Sequence, residues 1–416
     1  MIKKGSYTSN FLVLFSGSSF GQLVPLLFAP IIGRMFDEEE MAVMANFLAL
    51  ASIIAIIAAG RYERAIVLPA DKSRAMNLFA IATRIILIIT ILSVIVYFFR
   101  HQIDAFYEEG KMADFIYLIV VAVPLYAFTN LFTEWLIREK KFKALTYAGI
   151  ARSAFVSLFT ILFGYFSFGP AGLILGTIVG LFVALIMMYI ASRKSLDFSL
   201  ASKSGMLEVA KEYKDFPLIN SAHAFTDLLF GQVILYFVIT RQFGLAELGL
   251  FVMMSRYLGA SMKAVGSSVG QLYYREASER FSAGENVAPS FFRSVRLVSF
   301  FAVPVCLIVL VFGPEIFELY LGEDYKRSGE IAQIMIIPLF INFVVSPVSG
   351  TPIIYRKQRL AFALSLAGYI TGISVLLLGD YYGYDFYNSL KFYAAVQSVY
   401  YLVLFFWYLK LTRSKS

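Results

Sequence analysis

The chain has 416 residues, of which 59% are hydrophobic and only 15% charged, at a mean hydropathy of +0.73. A soluble chain averages roughly 45–50% apolar and about 25% charged residues, so the composition excludes a soluble enzyme or binding module and indicates a polytopic membrane protein. One cysteine (Cys306) excludes a disulfide framework and a zinc cluster, two histidines (His101, His223) a His-built metal site, and the net charge of +8 reads as loop placement in a membrane rather than nucleic-acid binding.

Twelve apolar runs fall near 10–32, 41–59, 76–99, 114–136, 144–166, 170–191, 216–239, 246–266, 297–313, 330–352, 360–379 and 389–409. Each approaches the ~20 residues that a spanning helix needs. The first is too long for a signal-peptide core and runs through Pro25 and Pro30 with no small-x-small cleavage site, so it reads as span 1.

The loops between these runs alternate in charge. Lys3 and Lys4 precede span 1. Arg61, Arg64, Lys72 and Arg74 follow span 2, and Arg138, Lys140, Lys141 and Lys143 follow span 4. Arg193, Lys194, Lys203, Lys211 and Lys214 follow span 6, and the loops after spans 8 and 10 and the carboxyl end continue the pattern. The intervening loops are acidic, as in Asp37-Glu38-Glu39-Glu40. Lys and Arg are retained in the cytoplasm, which predicts cytoplasmic termini and an even number of spans. No P-loop pattern is present, and no cofactor is implied.

The chain repeats itself at half length. Arg34-x-Phe36-x-x-x-Glu40 at the start of span 2 matches Arg241-x-Phe243-x-x-x-Glu247 at the start of span 8, an offset of 207 residues. Six spans separate the copies, so both halves have the same orientation, a parallel repeat about an axis along the membrane normal. The predicted fold is therefore all-α: twelve transmembrane helices in two six-helix lobes around a central cavity. The lobes are 1–191 and 216–416, joined by a cytoplasmic linker at 192–215. Within that linker, residues 205–213 read either as a short amphipathic helix on the membrane surface or as plain connection. Gly17-x-x-x-Gly21 in span 1 and Gly172, Gly176 and Gly180 in span 6 allow close helix approach. Pro25 and Pro30 make span 1 the favoured moving element, and Pro338 and Pro347 permit bending in span 10.

Gly60-Arg61-Tyr62-Glu63-Arg64-Ala65-Ile66-Val67-Leu68-Pro69 resembles a signature of Wzx-type polysaccharide flippases, as do Tyr213-Lys214-Asp215-Phe216-Pro217 and the Arg241–Phe251 stretch. These flippases belong to the multidrug/oligosaccharidyl-lipid/polysaccharide exporter superfamily. The resemblance implies transport of undecaprenyl-diphosphate-linked oligosaccharide across the bacterial inner membrane by alternating access. It also implies membrane lipids, glycosyltransferases and a polysaccharide polymerase as partners. Drug exporters of the superfamily often carry an acidic cation site in span 1, which here has no charged residue.

A charge near the bilayer centre costs at least ~2.5–3.5 kcal/mol and normally faces a partner or a wet cavity. Arg84, Arg152, Arg256 and Lys263 are the candidate diphosphate ligands, because guanidinium forks bond phosphate oxygens bidentately. Arg84 and Arg152 are placed ~12 Å deep by helical rise, and Arg256 and Lys263 share a face of span 8. The alternative is that Arg84 or Arg152 pairs with Glu134 or snorkels to the interface. Arg61 and Arg64, with Glu63 between them at the cytoplasmic end of span 2, serve either to capture the headgroup or as a positive-inside anchor with a local ion pair. Asp227 and His223, four residues apart in span 7, are candidates for ion coupling; the competing use of Asp227 is a salt bridge to Arg256. Two other functions compete. A cation-coupled drug exporter needs an acidic cavity, and a polyprenol-dependent glycosyltransferase or polymerase needs a large outer loop, whereas the longest here is 314–329.

Overall fold

The computed structural model describes residues 24–106 and 112–413, and these are helical throughout, with no strand among them. The chain divides into two compact units, one through Phe237 and one from Val238 onward.

The first unit contains α1 (Val24–Gly33), α2 (Glu38–Ala58), α3 (Tyr62–Ala65), α4 (Lys72–Phe98), α5 (Arg100–Phe106), α6 (Ile119–Arg138), α7 (Phe142–Tyr165), α8 (Pro170–Ser192), α9 (Lys203–Glu212) and α10 (Ser221–Leu228). The second contains most of α11 (Leu235–Phe243), then α12 (Leu245–Ser282), α13 (Ala288–Leu321), α14 (Lys326–Val345), α15 (Thr351–Ile354), α16 (Gln358–Tyr381) and α17 (Phe386–Arg413). Ten helical stretches among the described residues are long and apolar enough to span a membrane. The two further predicted spans are span 1, described only as α1, and span 8, which lies within α12. Gly17 and Gly21 lie outside the described residues.

Span 7 runs helically from Phe216 to Phe243 and packs against α2 in the first unit, so the line between the units falls within it and not in the 192–215 linker. Two π-helical turns, Phe216–Asn220 and Leu229–Ile234, bracket α10. Such turns interrupt the regular ladder and are frequent at functional sites.

The repeat is visible in local structure. Asp37 caps α2, its carboxylate accepting from the Glu40 N–H at 2.8 Å while the Glu40 carboxylate accepts from the Asp37 N–H at 3.0 Å. Gly244, 207 residues on, is the N-cap of α12, and Glu247 lies in its first turn as Glu40 does in α2. Phe36 is buried where α7 and α8 meet, close enough to occupy the space of a side chain at Gly164. Its counterpart Phe243 packs against Phe386 at the start of α17, with ring centroids 5.2 Å apart and the planes tilted by 52°.

In lipid there is no hydrophobic drive between helices, so association rests on close packing and hydrogen bonds. In α8, a Cβ at Gly176 would lie 2.9 Å from the Thr160 nitrogen, and one at Gly180 would lie 2.8 Å from the Arg152 carbonyl oxygen, both in α7. The predicted small-residue stripe thus faces its neighbour. In the second unit Gly368, Gly372 and Gly379 of α16 admit Tyr400, Gln397 and Ser389 of α17, and Gly313 of α13 meets Gly329 of α14.

Two boundaries differ from the sequence expectation. At 38 residues α12 is about 57 Å long, beyond the ~40–45 Å of a whole bilayer, so its last turns leave the membrane. Their i,i+4 pairs Arg275–Glu279 (2.9 Å) and Arg280–Glu276 (3.5 Å) support that extension. Pro347 lies beyond α14 rather than within it; Pro338 is inside. A further kink, not foreseen, lies in α13 at Phe312 (φ −118°, ψ 18°), two residues before Pro314.

Candidate functional site

Where span 2 ends, Gly60 and Arg61 both take the left-handed conformation (φ 57° and 56°) and turn the chain into α3. Glycine adopts it freely, whereas for Arg61 it costs about 1 kcal/mol. Its guanidinium is 3.6 Å from the Glu63 carboxylate. Both side chains are largely buried, and burial lowers the proton affinity of Arg61 and raises that of Glu63, while their mutual attraction opposes both shifts. The Arg61 Nε and one Glu63 oxygen are buried with no hydrogen-bond partner. Arg64, half exposed, reaches Glu134 of α6 at 2.7 Å. Both predicted capture residues are therefore engaged with acids, in a corner joining α2, α3 and α6.

Three ties around this corner were not read from sequence. Arg138, at the end of α6, donates to the carbonyls of Ile66 (3.0 Å), Ala70 (3.2 Å), Asp71 (3.3 Å) and Pro69, and so pins the whole loop. The linker forms helix α9, resolving the two readings of that stretch, and α9 docks on α4. Arg74 binds Glu208 (3.1 Å) and Glu212, the Asn77 side-chain oxygen accepts from the Ser202 N–H (2.9 Å), and the Ser73 hydroxyl donates to the Leu200 carbonyl (3.0 Å). Gly205 lies so close to Asn77 that a Cβ would be 2.6 Å from its amide nitrogen. The Tyr62 hydroxyl donates to the Ala210 carbonyl (3.2 Å). The available signal was Arg74 together with Glu208 and Glu212, one helical turn apart, but sequence gives no means of pairing residues so distant in the chain.

Glu134 is thus held by Arg64 rather than by Arg84 or Arg152. Arg84 lies 12 residues into α4 and Arg152 10 residues into α7, about 18 and 15 Å along helices that begin earlier than the sequence suggested. Arg84 is exposed. Arg152 is half-buried and lies over the Tyr126 ring of α6, 5.7 Å from its centroid, a cation–π contact. Arg256 is half-buried in α12 beside Tyr257, and α12 continues unbroken past Lys263, whose side chain lies outside the described residues. His223 and Asp227 are joined, Nδ1 to carboxylate oxygen, at 3.2 Å on α10. Among the described residues, no three His, Cys, Asp or Glu side chains are placed to hold a metal ion. The first unit therefore carries Arg61, Arg64, Arg84, Arg152, His223 and Asp227, and the second carries Arg256 and Lys263.

The polysaccharide biosynthesis protein family matches residues 64–330. Comparison with curated protein sequences finds no match. Among solved structures, the chain is similar to an inward-facing multidrug resistance MATE family transporter of the MOP superfamily, with TM-score 0.76, 14% identity, and 97% of this chain and 100% of that one covered. It is similar to the lipid II flippase MurJ in an inward closed conformation, with TM-score 0.72, 15% identity and coverage of 96% and 87%. A third is a MOP superfamily transporter from Pyrococcus furiosus whose structure is described as having reversed binding-pocket polarity that suggests a different function, with TM-score 0.61, 14% identity and coverage of 98% and 96%. At these identities the likeness establishes the fold, and the match over more than half of the sequence establishes the family: this chain is a membrane-spanning member of the polysaccharide biosynthesis protein family, with the fold of MOP-superfamily transporters.

Proposed function

We propose that the protein is a flippase that carries undecaprenyl-diphosphate-linked oligosaccharide across the bacterial inner membrane by alternating access of two six-helix lobes, with both termini cytoplasmic. The family match supports polysaccharide biosynthesis as the setting, and MurJ, named as a lipid II flippase, shares the fold. The observation that carries the reading is the unbalanced charge within the spans. Glu134 is occupied by Arg64 and Asp227 by His223, and among the described residues no carboxylate forms an ion pair with Arg84, Arg152 or Arg256. Guanidinium groups in spans without their own acids require an anion, and a diphosphate supplies one. Arg152 and Arg256, with Lys263, are the proposed phosphate ligands, and the half-open Arg64 is the proposed first contact of the headgroup. A drug exporter for cationic substrates needs the opposite polarity.

The test is flipping of a fluorescent undecaprenyl-diphosphate-linked oligosaccharide in vesicles containing the purified protein. Wild type accelerates crossing, and Arg256→Glu, inserted and folded as wild type, lowers the rate at least about tenfold, the loss of charge-assisted bonds to phosphate. An undiminished rate in that variant overturns the assignment. The His223–Asp227 pair, bracketed by π turns, favours coupling to an ion gradient. A rate independent of pH and of sodium removes that coupling.

A further inference from the structure

The face of α4 on which Arg84 lies changes character along its length. Toward the start of the helix it is covered. Ser73 and Asn77, at −11 and −7 from Arg84 and hence within about 20° of it around the helix, are bonded to the Leu200–Ser202 segment, and Gly205 of α9 presses on Asn77. Beyond Arg84 the same face is bare. Leu87, Ile88, Ile91, Ile95 and Phe98, at +3, +4, +7, +11 and +14, continue the stripe, and Ile91 and Phe98 are 71% and 73% exposed. The stripe is an uninterrupted apolar track over 20 Å long by helical rise, with a guanidinium at its foot and the linker as its floor. Lys203, beside the Ser202 that Asn77 holds, adds a second exposed cation at that floor.

An arginine part-way along a lipid-facing helix is costly unless its guanidinium reaches a phosphate, and among the described residues Arg84 forms no ion pair with an acid. An apolar track ending at a cation matches a ligand with a long hydrocarbon chain and a phosphate head. We infer that this face of α4 docks the polyprenyl chain of the lipid-linked diphosphate, with Arg84 bonding the phosphate at the foot of the track. The inference rests on the proposed flippase function and adds a tail subsite to it. The chain then stays against span 3 while the sugar crosses.

The experiment uses the full-length protein in vesicles of phosphatidylethanolamine and phosphatidylglycerol. Photoreactive benzoylphenylalanine replaces Ile91 or, as a control on another exposed apolar face, Phe406 of α17, which is 62% exposed. The probe is undecaprenyl diphosphate without sugar. Adducts at position 91 are expected to exceed those at 406 at least about tenfold and to fall by a similar factor with Arg84→Gln, the loss of one charge-assisted bond. Excess unlabelled undecaprenyl diphosphate displaces the probe and undecaprenol does not, a comparison that needs no change at Arg84. Equal labelling at both positions, labelling indifferent to Arg84→Gln, displacement by undecaprenol, or adducts to phosphatidylglycerol in place of the probe each overturn the track. Flipping of the full substrate without labelling at 91 removes the track and leaves the transport reading standing. Labelling without flipping does the reverse.

Discussion

The two units close their ends differently. In the first, the loops after spans 2, 4 and 6 meet through polar ties: Arg138 on four carbonyls, Arg64 on Glu134, and Arg74 on the acids of α9. In the second, the end of α12, the start of α13, the Val345–Ile354 turn and the end of α17 meet in an apolar cluster containing Tyr273, Ala277, Phe291, Val348 and Tyr408, with one buried hydroxyl pair, Tyr273 to Thr351 at 2.6 Å. Ion pairs and carbonyl clamps are directional and exchange readily with water, whereas a packed aromatic cluster has few alternative arrangements. Aromatic rings also pack at the first unit's end, Phe79 against Phe132, Trp135 and Phe198, but its added polar ties make it the end expected to adjust. The adjustable end bears the linker helix and leads into span 7.

The same contrast appears in the helical hairpins. Both α7/α8 and α16/α17 use glycines spaced by four, but at Gly180 the obstacles to a Cβ are the stiff β-branched Val156 side chain and the backbone of Arg152 and Val156, while at Gly372 they are the ends of the Gln397 and Tyr393 side chains. Gly180→Ala is expected to cost at least about 3 kcal/mol by forcing the helices apart, and Gly372→Ala about 1 kcal/mol because side chains can turn away. Unfolding in mixed micelles reads both. Equal losses would erase the distinction.

Next in size are the clamps. Arg138→Met removes every bond from that side chain to the 66–71 carbonyls and is expected to cost about 3 kcal/mol, exposing the loop to protease. Tyr273→Phe, which removes one hydroxyl pair but keeps the aromatic packing, is expected to cost about 1 kcal/mol and to leave the 345–354 turn resistant. A loop that stays protease-resistant in Arg138→Met would show that packing rather than the clamp holds it. A smaller effect is expected for the Arg64–Glu134 pair. Because Arg64 is half exposed, a double-mutant cycle with Arg64→Gln and Glu134→Gln should return a coupling of about 0.5 kcal/mol.

How much of this was legible depends on the range of the interaction. Span positions follow from apolar length, the repeat from one seven-residue pattern, and the α8 stripe from glycines four apart; all are local regularities that a helix converts directly into geometry. The local pairing of Arg61 with Glu63 was open to the sequence, two residues apart; the partners of Arg64 and Arg138 were not legible. Along the chain Glu134 is nearer to Arg152 and Arg84 than to Arg64, and only the fold brings the loop arginine to it. The reach of α12 beyond the membrane was hidden because its last turns are polar, and hydropathy marks where a helix leaves lipid rather than where it ends. Arg84 falls within a helix long and apolar enough to span, as its place in the sequence implies. That its face is bare apolar surface beyond the linker depends on α9 covering Asn77, a contact between residues 125 positions apart.

The smallest effect sharpens the comparison most, because it belongs to one unit alone. Glu63 is buried in the polar corner, and burial holds its carboxyl above the usual carboxylate range. A folded-state pKa above the unfolded one means that the folded protein binds the proton more tightly, so this residue's contribution is fully present below the unfolded value and is lost as pH rises through the folded one. Stability of the first unit is therefore expected to fall as pH rises from the ordinary carboxylate range toward neutrality, and Glu63→Gln, which keeps the shape without the charge, should flatten that dependence. The Tyr273–Thr351 pair is neutral throughout this window, so Tyr273→Phe should shift stability by the same amount at every pH. Protease susceptibility of the 60–71 loop, followed against pH in wild type and both variants, separates the two ends. A wild-type loop equally protected at pH 4 and pH 7 would mean that Glu63 is held charged by Arg61 despite its burial, making the corner a fixed ion pair rather than an adjustable one.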